Sequence, residues 1–247
     1  MLPLRDLNPT RRTAVVTLLL IVANVAVYFL VQPGQTDTRA TVLFNFEHAA
    51  IPCEVTTGHS LTEREVVATA NGAGDTLCDA DPGGAAAFPG KSVYLAILLS
   101  MFFHGSVLHL GGNMLFLWIF GNNVEDRLGH LRYVLLYLVA GLVAAAAHVG
   151  VQPDSTIPIV GASGAVAGVM GTYLVWFPNA SIVSLVFFIV TRIRAKWWLG
   201  FWFLQQFFVN PNEGVAWMAH VGGFVFGVLA GLALRGRRTT DRSSMTF

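Results

Sequence analysis

Residues 13–31 read TAVVTLLLIVANVAVYFLV, nineteen positions without a charge. As a helix rising 1.5 Å per residue, this block is roughly 28 Å long, enough for one hydrocarbon core. Arg5, Arg11 and Arg12 precede it, and it outruns the roughly 7–15 apolar residues of a cleavable signal. It reads as a retained first span with the amino terminus in the cytoplasm. Composition agrees: 54% of residues are hydrophobic, mean hydropathy is +0.61 and 12% are charged, where soluble domains carry about 25% charge. Apolar blocks of about twenty residues with short polar connectors are the spacing of spanning helices, not of barrel strands. A soluble enzyme domain is excluded. With a net charge of +1 and no basic stripe interleaved with aromatics, so is a nucleic-acid partner.

After the first span, residues 32–91 hold Asp37, Glu47, Glu54, Glu63, Glu65, Asp75, Asp79 and Asp81 against Arg39, Arg64 and Lys91, a large external loop. The apolar run 93–120 is too long for one crossing and splits into an interfacial helix, about 93–103, and a second span, about 105–121. Spans three and four follow at 133–150 and 160–177, the latter closed by Pro178, which cannot continue a helix. Residues 180–190 are too short to span and lead into Arg192, Arg194 and Lys196. One helix through this region would place three cations near the bilayer centre at about 2.5–3.5 kcal/mol each. The segment 180–190 therefore lies on the cytoplasmic face, 197–209 forms a short fifth span and 215–234 the sixth. This layout puts twelve of the fifteen Lys and Arg residues inside, as the positive-inside rule requires.

The expected fold is an all-α polytopic membrane protein of six transmembrane helices with a large external loop after the first. Its parts are a cytoplasmic tail (1–12), the first helix (13–31), the external loop (32–92), a core of helices two to six (93–234) and a basic cytoplasmic tail (235–247). Cys53 and Cys78 both fall in the loop. On this topology their compartment is oxidising, so a disulfide closing roughly 25 residues is favoured, contributing about 3 kcal/mol. Two free thiols are the alternative; a zinc site wants four ligands at tighter spacing.

Polar groups inside spans are functional candidates, because an unpaired one is costly in hydrocarbon. His109 and Asn113 stand four residues apart on span two, on one helix face. Ser163 sits in Gly161-Ala162-Ser163-Gly164 at the start of span four, and His220 begins His220-Val221-Gly222-Gly223 in span six. By crossing direction all four lie in the outer half of the membrane. Taken singly, each has an ordinary structural explanation: Ser bonded to its own helix, His packed or solvated, Asn as helix-to-helix glue. Glycines add the missing relation. Gly164, Gly168 and Gly171 on span four, and Gly223, Gly227 and Gly231 on span six, make small-residue stripes along which the two helices pack closely. That packing brings His220 to Ser163. A hydroxyl beside an imidazole is a minimal activated nucleophile, and Asn113, His109 and the Ser163 backbone N–H are donors for an oxyanion. Asp154 and Glu213, in loops near the bundle mouth, read as solvated charges rather than a third catalytic member.

The run His104-Gly-Ser-Val-Leu-His109-Leu-Gly-Gly-Asn113-Met, the segment Glu125-Asp-Arg-Leu-Gly129, Gly161-Ala-Ser163-Gly164 and Ala219-His220-Val-Gly222-Gly223, in that order, resemble the rhomboid family of intramembrane serine proteases. The resemblance covers about residues 93–234 plus the first span by position. It implies a six-helix core, a catalytic dyad of Ser163 and His220, an oxyanion site using Asn113 with His109, no metal and no cofactor. It implies as substrates other transmembrane proteins, cut near the outer ends of their helices within the lipid bilayer. Two positions depart from the pattern. Leu95-Ala96 stand where members often carry Trp-Arg, and Ala167 stands where some place a Tyr that stacks on the catalytic His, so His220 needs another support.

The leading expectation is an active intramembrane serine endopeptidase; the alternative is a catalytically inactive rhomboid-like protein that binds transmembrane helices. A solute transporter is weaker, since no internal repeat is evident. Ala, Gly and Arg usage points to a bacterial plasma membrane with both termini cytoplasmic. The short fifth span is the expected lateral gate.

Overall fold

The computed structural model describes residues 1–34, 37–208 and 216–235. In chain order these form β1 (Leu2–Asp6), α1 (Val15–Ala26) running into a π-helical turn (Val27–Val31), α2 (Thr38–His48), α3 (Pro52–Thr57), α4 (Glu63–Ala70), α5 (Val93–Ser100), α6 (Val107–Leu128), α7 (His130–Val151), α8 (Ser163–Trp176), β2 (Ser181–Val186), β3 (Ile189–Arg194), α9 (Ala195–Gln205) with a 3-10 turn (Gln206–Phe208), and α10 (Trp217–Ala233). Among the described residues α7, with 22 residues and a mean hydropathy of 2.2, is the one helix long and apolar enough to cross a membrane on those criteria alone. Val15–Val31, α8 and α10 are shorter apolar helices. The architecture is a polytopic helical membrane fold.

The expectation of an all-α chain is corrected by a sheet. β1, β2 and β3 pair antiparallel in that order. The segment 180–190, expected as an apolar piece lying on the cytoplasmic face, supplies β2, the turn and the start of β3, and residues 2–6 of the expected cytoplasmic tail supply β1. The cause is local. β2 and β3 carry Ile182, Val183, Val186, Ile189, Val190, Thr191 and Ile193, stiff at χ1 and suited to a pleated surface. Ile182 and Ser184 are fully buried while their neighbours are not, the period of two expected when one sheet face packs on a core.

The segment Glu125-Asp-Arg-Leu-Gly129 ties that end of the bundle together. The Glu125 carboxylate accepts from Val16 N–H (2.8 Å), Thr17 N–H (2.8 Å) and the Thr17 hydroxyl (2.7 Å), so an anion supplied by α6 satisfies the orphan donors and the dipole at the start of α1. Asp126 accepts from the Arg12 N–H at 2.7 Å, and Gly129 turns the chain into α7 at φ +78°, a region open to glycine. Asp6 of β1 accepts from the Tyr173 hydroxyl at 2.8 Å and from Asn123 Nδ2 at 2.5 Å, fixing the sheet to α6 and α8.

At the other end, α2, α3 and α4 form a small module with Phe46, Ile51, Cys53, Leu61 and Val66 at its core. Cys53 and Cys78 are joined by a disulfide. Glu54 and Lys91 make an ion pair, each side chain 1% exposed. Burial pushes the Glu54 carboxyl up and the Lys91 ammonium down, each opposed by the charge of the other. The module is hydrogen-bonded to the bundle through Ala50 N–H to Ser100 Oγ (2.7 Å) and Cys53 N–H to the Ser155 carbonyl (2.9 Å).

α8 and α10 meet along the two glycine stripes. A Cβ on Gly227 would collide with the Gly168 carbonyl, and one on Gly223 with the Gly164 carbonyl. Backbones therefore touch directly. The contact is fastened by Thr172 Oγ1 donating to the Gly227 carbonyl (2.9 Å) and Trp176 Nε1 to the Gly231 carbonyl (2.8 Å).

Candidate active site

Ser163 is the first residue of α8, so its N–H is among those left without an intrahelical acceptor. Gly161 delivers the chain to this point with φ +129°, and a Cβ there would sit 2.9 Å from His109 Cε1 and 3.0 Å from Nε2. Glycine is needed twice over, for its backbone and for the ring lying on it. His220 lies in the first turn of α10. The glycine contact between the two helices sets its distance: His220 Nε2 is 2.8 Å from Ser163 Oγ.

The other ring nitrogen of His220 has a partner that sequence reasoning did not name. Gln206, immediately after α9, places Oε1 2.7 Å from His220 Nδ1. Its own Nε2 donates to the Trp202 carbonyl at 2.8 Å, which fixes which end of the amide faces the ring. An amide oxygen only accepts, so Nδ1 carries the proton and Nε2 is left as the acceptor for the Ser163 hydroxyl. Trp202 also lies against the imidazole, with ring centroids 6.0 Å apart at 41°. Together these two side chains supply the support missing at Ala167. The available signal was the pair Gln205-Gln206 at the end of an otherwise apolar stretch.

His109 and Asn113 line, with Ser163, Val166, Trp202 and His220, a cavity of about 510 Å³, within the range of small-ligand sites. The His109 Nδ1 accepts a long bond from Gly105 N–H, 3.4 Å, leaving Nε2 as a donor on the side of Gly161 and Ser163. Asn113 Nδ2 donates to the His109 carbonyl at 3.0 Å; an amide nitrogen carries a second hydrogen. The start of α6 is held by Gln32, whose amide both donates to the His104 carbonyl (3.1 Å) and accepts from its N–H (3.0 Å). Asp154 is exposed, and Glu213 lies outside the described residues. Among the described residues there is no group of three His, Cys, Asp or Glu side chains arranged for a metal.

A family profile described as Rhomboid domain matches residues 91–237, more than half of the chain. The chain belongs to the rhomboid family. It is similar to Rhomboid protein 1, mitochondrial, of Saccharomyces cerevisiae, 32% identical over 147 residues, covering 56% of this chain and 41% of the yeast protein. It is also similar to the human Presenilin-associated rhomboid-like protein, mitochondrial (31% over 143 residues; 53% and 36%). Rhomboid protease GluP of Bacillus subtilis matches at 30% over 145 residues, covering 56% of this chain and 25% of that protein. The chain thus spans well under half the length of these relatives. The expectation of a bacterial plasma membrane is overturned by the yeast and human relatives, whose names place them in mitochondria. Ala, Gly and Arg usage is a bias of overall composition and does not encode which membrane the chain enters.

Proposed function

We propose that this chain is an intramembrane serine endopeptidase with Ser163 as nucleophile and His220 as general base and acid. The observation that carries this reading is the Ser163 Oγ to His220 Nε2 contact of 2.8 Å at the wall of the cavity, with Gln206 on the far nitrogen. In the proposed reaction Ser163 Oγ attacks the scissile carbonyl carbon while its proton passes to His220 Nε2. The resulting oxyanion is held by the Ser163 N–H, His109 Nε2 and the second hydrogen of Asn113 Nδ2. As the C–N bond breaks, His220 returns the proton to the leaving amine; water, deprotonated by the same nitrogen, then releases the acyl group. Gln206 Oε1 faces the imidazolium that forms in between.

The spans of this reading are α1 with its π-helical turn, α6, α7, α8, α9 and α10. The rhomboid family acts on transmembrane substrates within the bilayer, and those of this chain are read as helices that unwind at the cut, since a helical peptide bond is internally hydrogen-bonded. The inactive, helix-binding reading has no use for a hydroxyl and an imidazole held at bonding distance. The test is reaction of the purified chain with a fluorophosphonate beside Ser163→Ala: labelling and cleavage of a reconstituted helix substrate are both expected to vanish in the variant. Cleavage that survives the substitution refutes the assignment.

A further inference from the structure

One face of the sheet packs on the bundle; among the described residues the other is left open, with Leu2, Arg5, Val190, Arg192 and Arg194 exposed. Cross-strand partners share a face, so the register fixes what the outer face presents. Leu185 stands between Leu2 and Val190, Val183 stands between Arg5 and Arg192, and Ser181 is paired with Arg194. The inner face carries Ile182 and Ser184, both fully buried. The outer face is therefore graded. It is apolar toward the β2–β3 turn and cationic toward the start of α9, where exposed Lys196 lies over the ring of Trp197 at 5.4 Å.

The turn sharpens this gradient. Val186 pairs with Ile189, leaving Phe187 and Phe188 as a two-residue loop. They are 88% and 99% exposed, and Ile189 and Val190 beside them 70% and 62%. Phe187 has φ +53°, at a position that two-residue hairpins give to Gly, Asn or Asp because a larger side chain is disfavoured there. A strained backbone that holds two phenylalanines out from a sheet is a liability in water. It is suited to the headgroup layer of a bilayer, where aromatic side chains concentrate. β2 follows α8 and β3 runs directly into α9, so the sheet sits at the level where helices leave the membrane.

We propose that the outer face of this sheet is a docking surface for an anionic lipid leaflet, with Phe187 and Phe188 inserted among the headgroups and Arg5, Arg192, Arg194 and Lys196 on lipid phosphates. Charge complementarity selects this occupant over an apolar one: cations of a polybasic juxtamembrane segment are drawn to anionic headgroups. The inference rests on the membrane fold alone and stands whether or not the chain is a protease.

The experiment uses the full chain with Phe188→Cys. Cys53 and Cys78 are bonded to each other, so the new thiol takes an environment-sensitive fluorophore selectively. The labelled protein is reconstituted into vesicles of phosphatidylcholine alone or mixed with phosphatidylglycerol. A nitroxide on the lipid headgroup should quench the label strongly in the mixed vesicles and weakly in the neutral ones. Arg192→Gln/Arg194→Gln/Lys196→Gln should abolish the difference, while a label at exposed Val67, in the distant module, stays open throughout to aqueous iodide, supplied on both sides of the vesicles because the two positions face opposite sides. Iodide quenching of the 188 label in mixed vesicles equal to that at position 67 overturns the proposal, as does equal nitroxide quenching in both lipids. Shielding from both quenchers that grows with protein-to-lipid ratio also overturns it, identifying a second copy of the chain as the occupant.

Discussion

Replacing Gln206 by Met removes the acceptor on His220 Nδ1 while keeping side-chain length. The bond it deletes is 2.7 Å long and lies beside the Ser163–His220 contact of 2.8 Å. In the resting state it joins two neutral groups, worth about 0.5–1.5 kcal/mol; once His220 has taken the serine proton it joins an imidazolium, worth about 1.5–3 kcal/mol. Only the difference, about 1–1.5 kcal/mol, lowers the barrier. The variant should therefore lose roughly tenfold in kcat. KM should hold, because Gln206 touches the imidazole and does not line the cavity. Gln206→Glu, which restores an acceptor, should recover most of the rate. The assay is the initial rate of cleavage of a fluorogenic helix substrate in proteoliposomes, read beside the second-order rate of fluorophosphonate labelling, which should fall by the same factor. A Met variant with wild-type kcat and labelling rate refutes the positioning role. A loss of kcat that Glu fails to restore, with a lowered unfolding temperature, refutes it as well, by showing that Gln206 only packs.

Gly227→Ala should destabilise the chain by about 1–3 kcal/mol, the usual cost of overpacking, because its Cβ meets the Gly168 carbonyl, while Gly200→Ala, with nothing within 4 Å, should be near neutral; thermal unfolding in detergent compares them. Burial pushes the Asp6 carboxyl up from 3.8 to about 6, with the Tyr173 hydroxyl pulling the other way. A carboxyl whose folded value is raised favours the protonated fold, so its contribution is full below pH 3.8 and is lost as pH rises through about 6. The unfolding temperature of the native chain should thus fall across that window relative to Asp6→Asn, and parallel curves for the two would refute the linkage.

Legibility in the sequence followed the length scale of the signal. The apolar blocks overlap every helix of the core, and the two glycine stripes are enough to foresee that α8 and α10 touch. Helix ends were less legible. The apolar run closes span two at about Gly121, but α6 runs to Leu128, because Glu125 is spent on the start of α1 and not on solvent. The sheet is not legible although Ser181–Val186 and Ile189–Arg194 are rich in β-branched residues, because neither alternates apolar with polar. Its third strand comes from residues 2–6, about 180 positions away, and no local pattern announces a pairing at that distance. Gln206 escapes for a related reason: nothing in the Gln205-Gln206 pair says which amide, if either, the fold turns toward His220. His109 and Asn113 were legible as a pair, yet nothing in their spacing shows that Gly161 has its Cα against the His109 ring.

The position of Gln206 carries a consequence for how a helix enters. α9 is held at its start, where Ala195, Trp198 and Leu199 are buried and Trp198 packs tilted against Phe116 and Phe120 of α6 at 5.5 and 5.8 Å. Its far half leans on α10 instead, through Phe203 against Phe224 at 4.8 Å and Phe207 against Trp217 at 6.0 Å, and exposes Phe201 and Leu204. If a substrate helix enters between α6 and α9, this packing predicts a pivot at the start of α9 and a swing of its end. That end carries Gln206, so on the proposed function we expect opening to take the acceptor away from His220 and chemistry to wait until α9 has returned. Tying α9 to α6 with a bifunctional cross-linker between cysteines at exposed Leu204 and Leu108 should stop cleavage of a helix substrate, which needs the opening. The same tie should leave labelling of Ser163 by a small fluorophosphonate at its native rate, because the closed arrangement is the one with the Gln206–His220 bond intact. Labelling that falls as far as cleavage would refute the coupling of gate and base, and cleavage that persists would refute the gate.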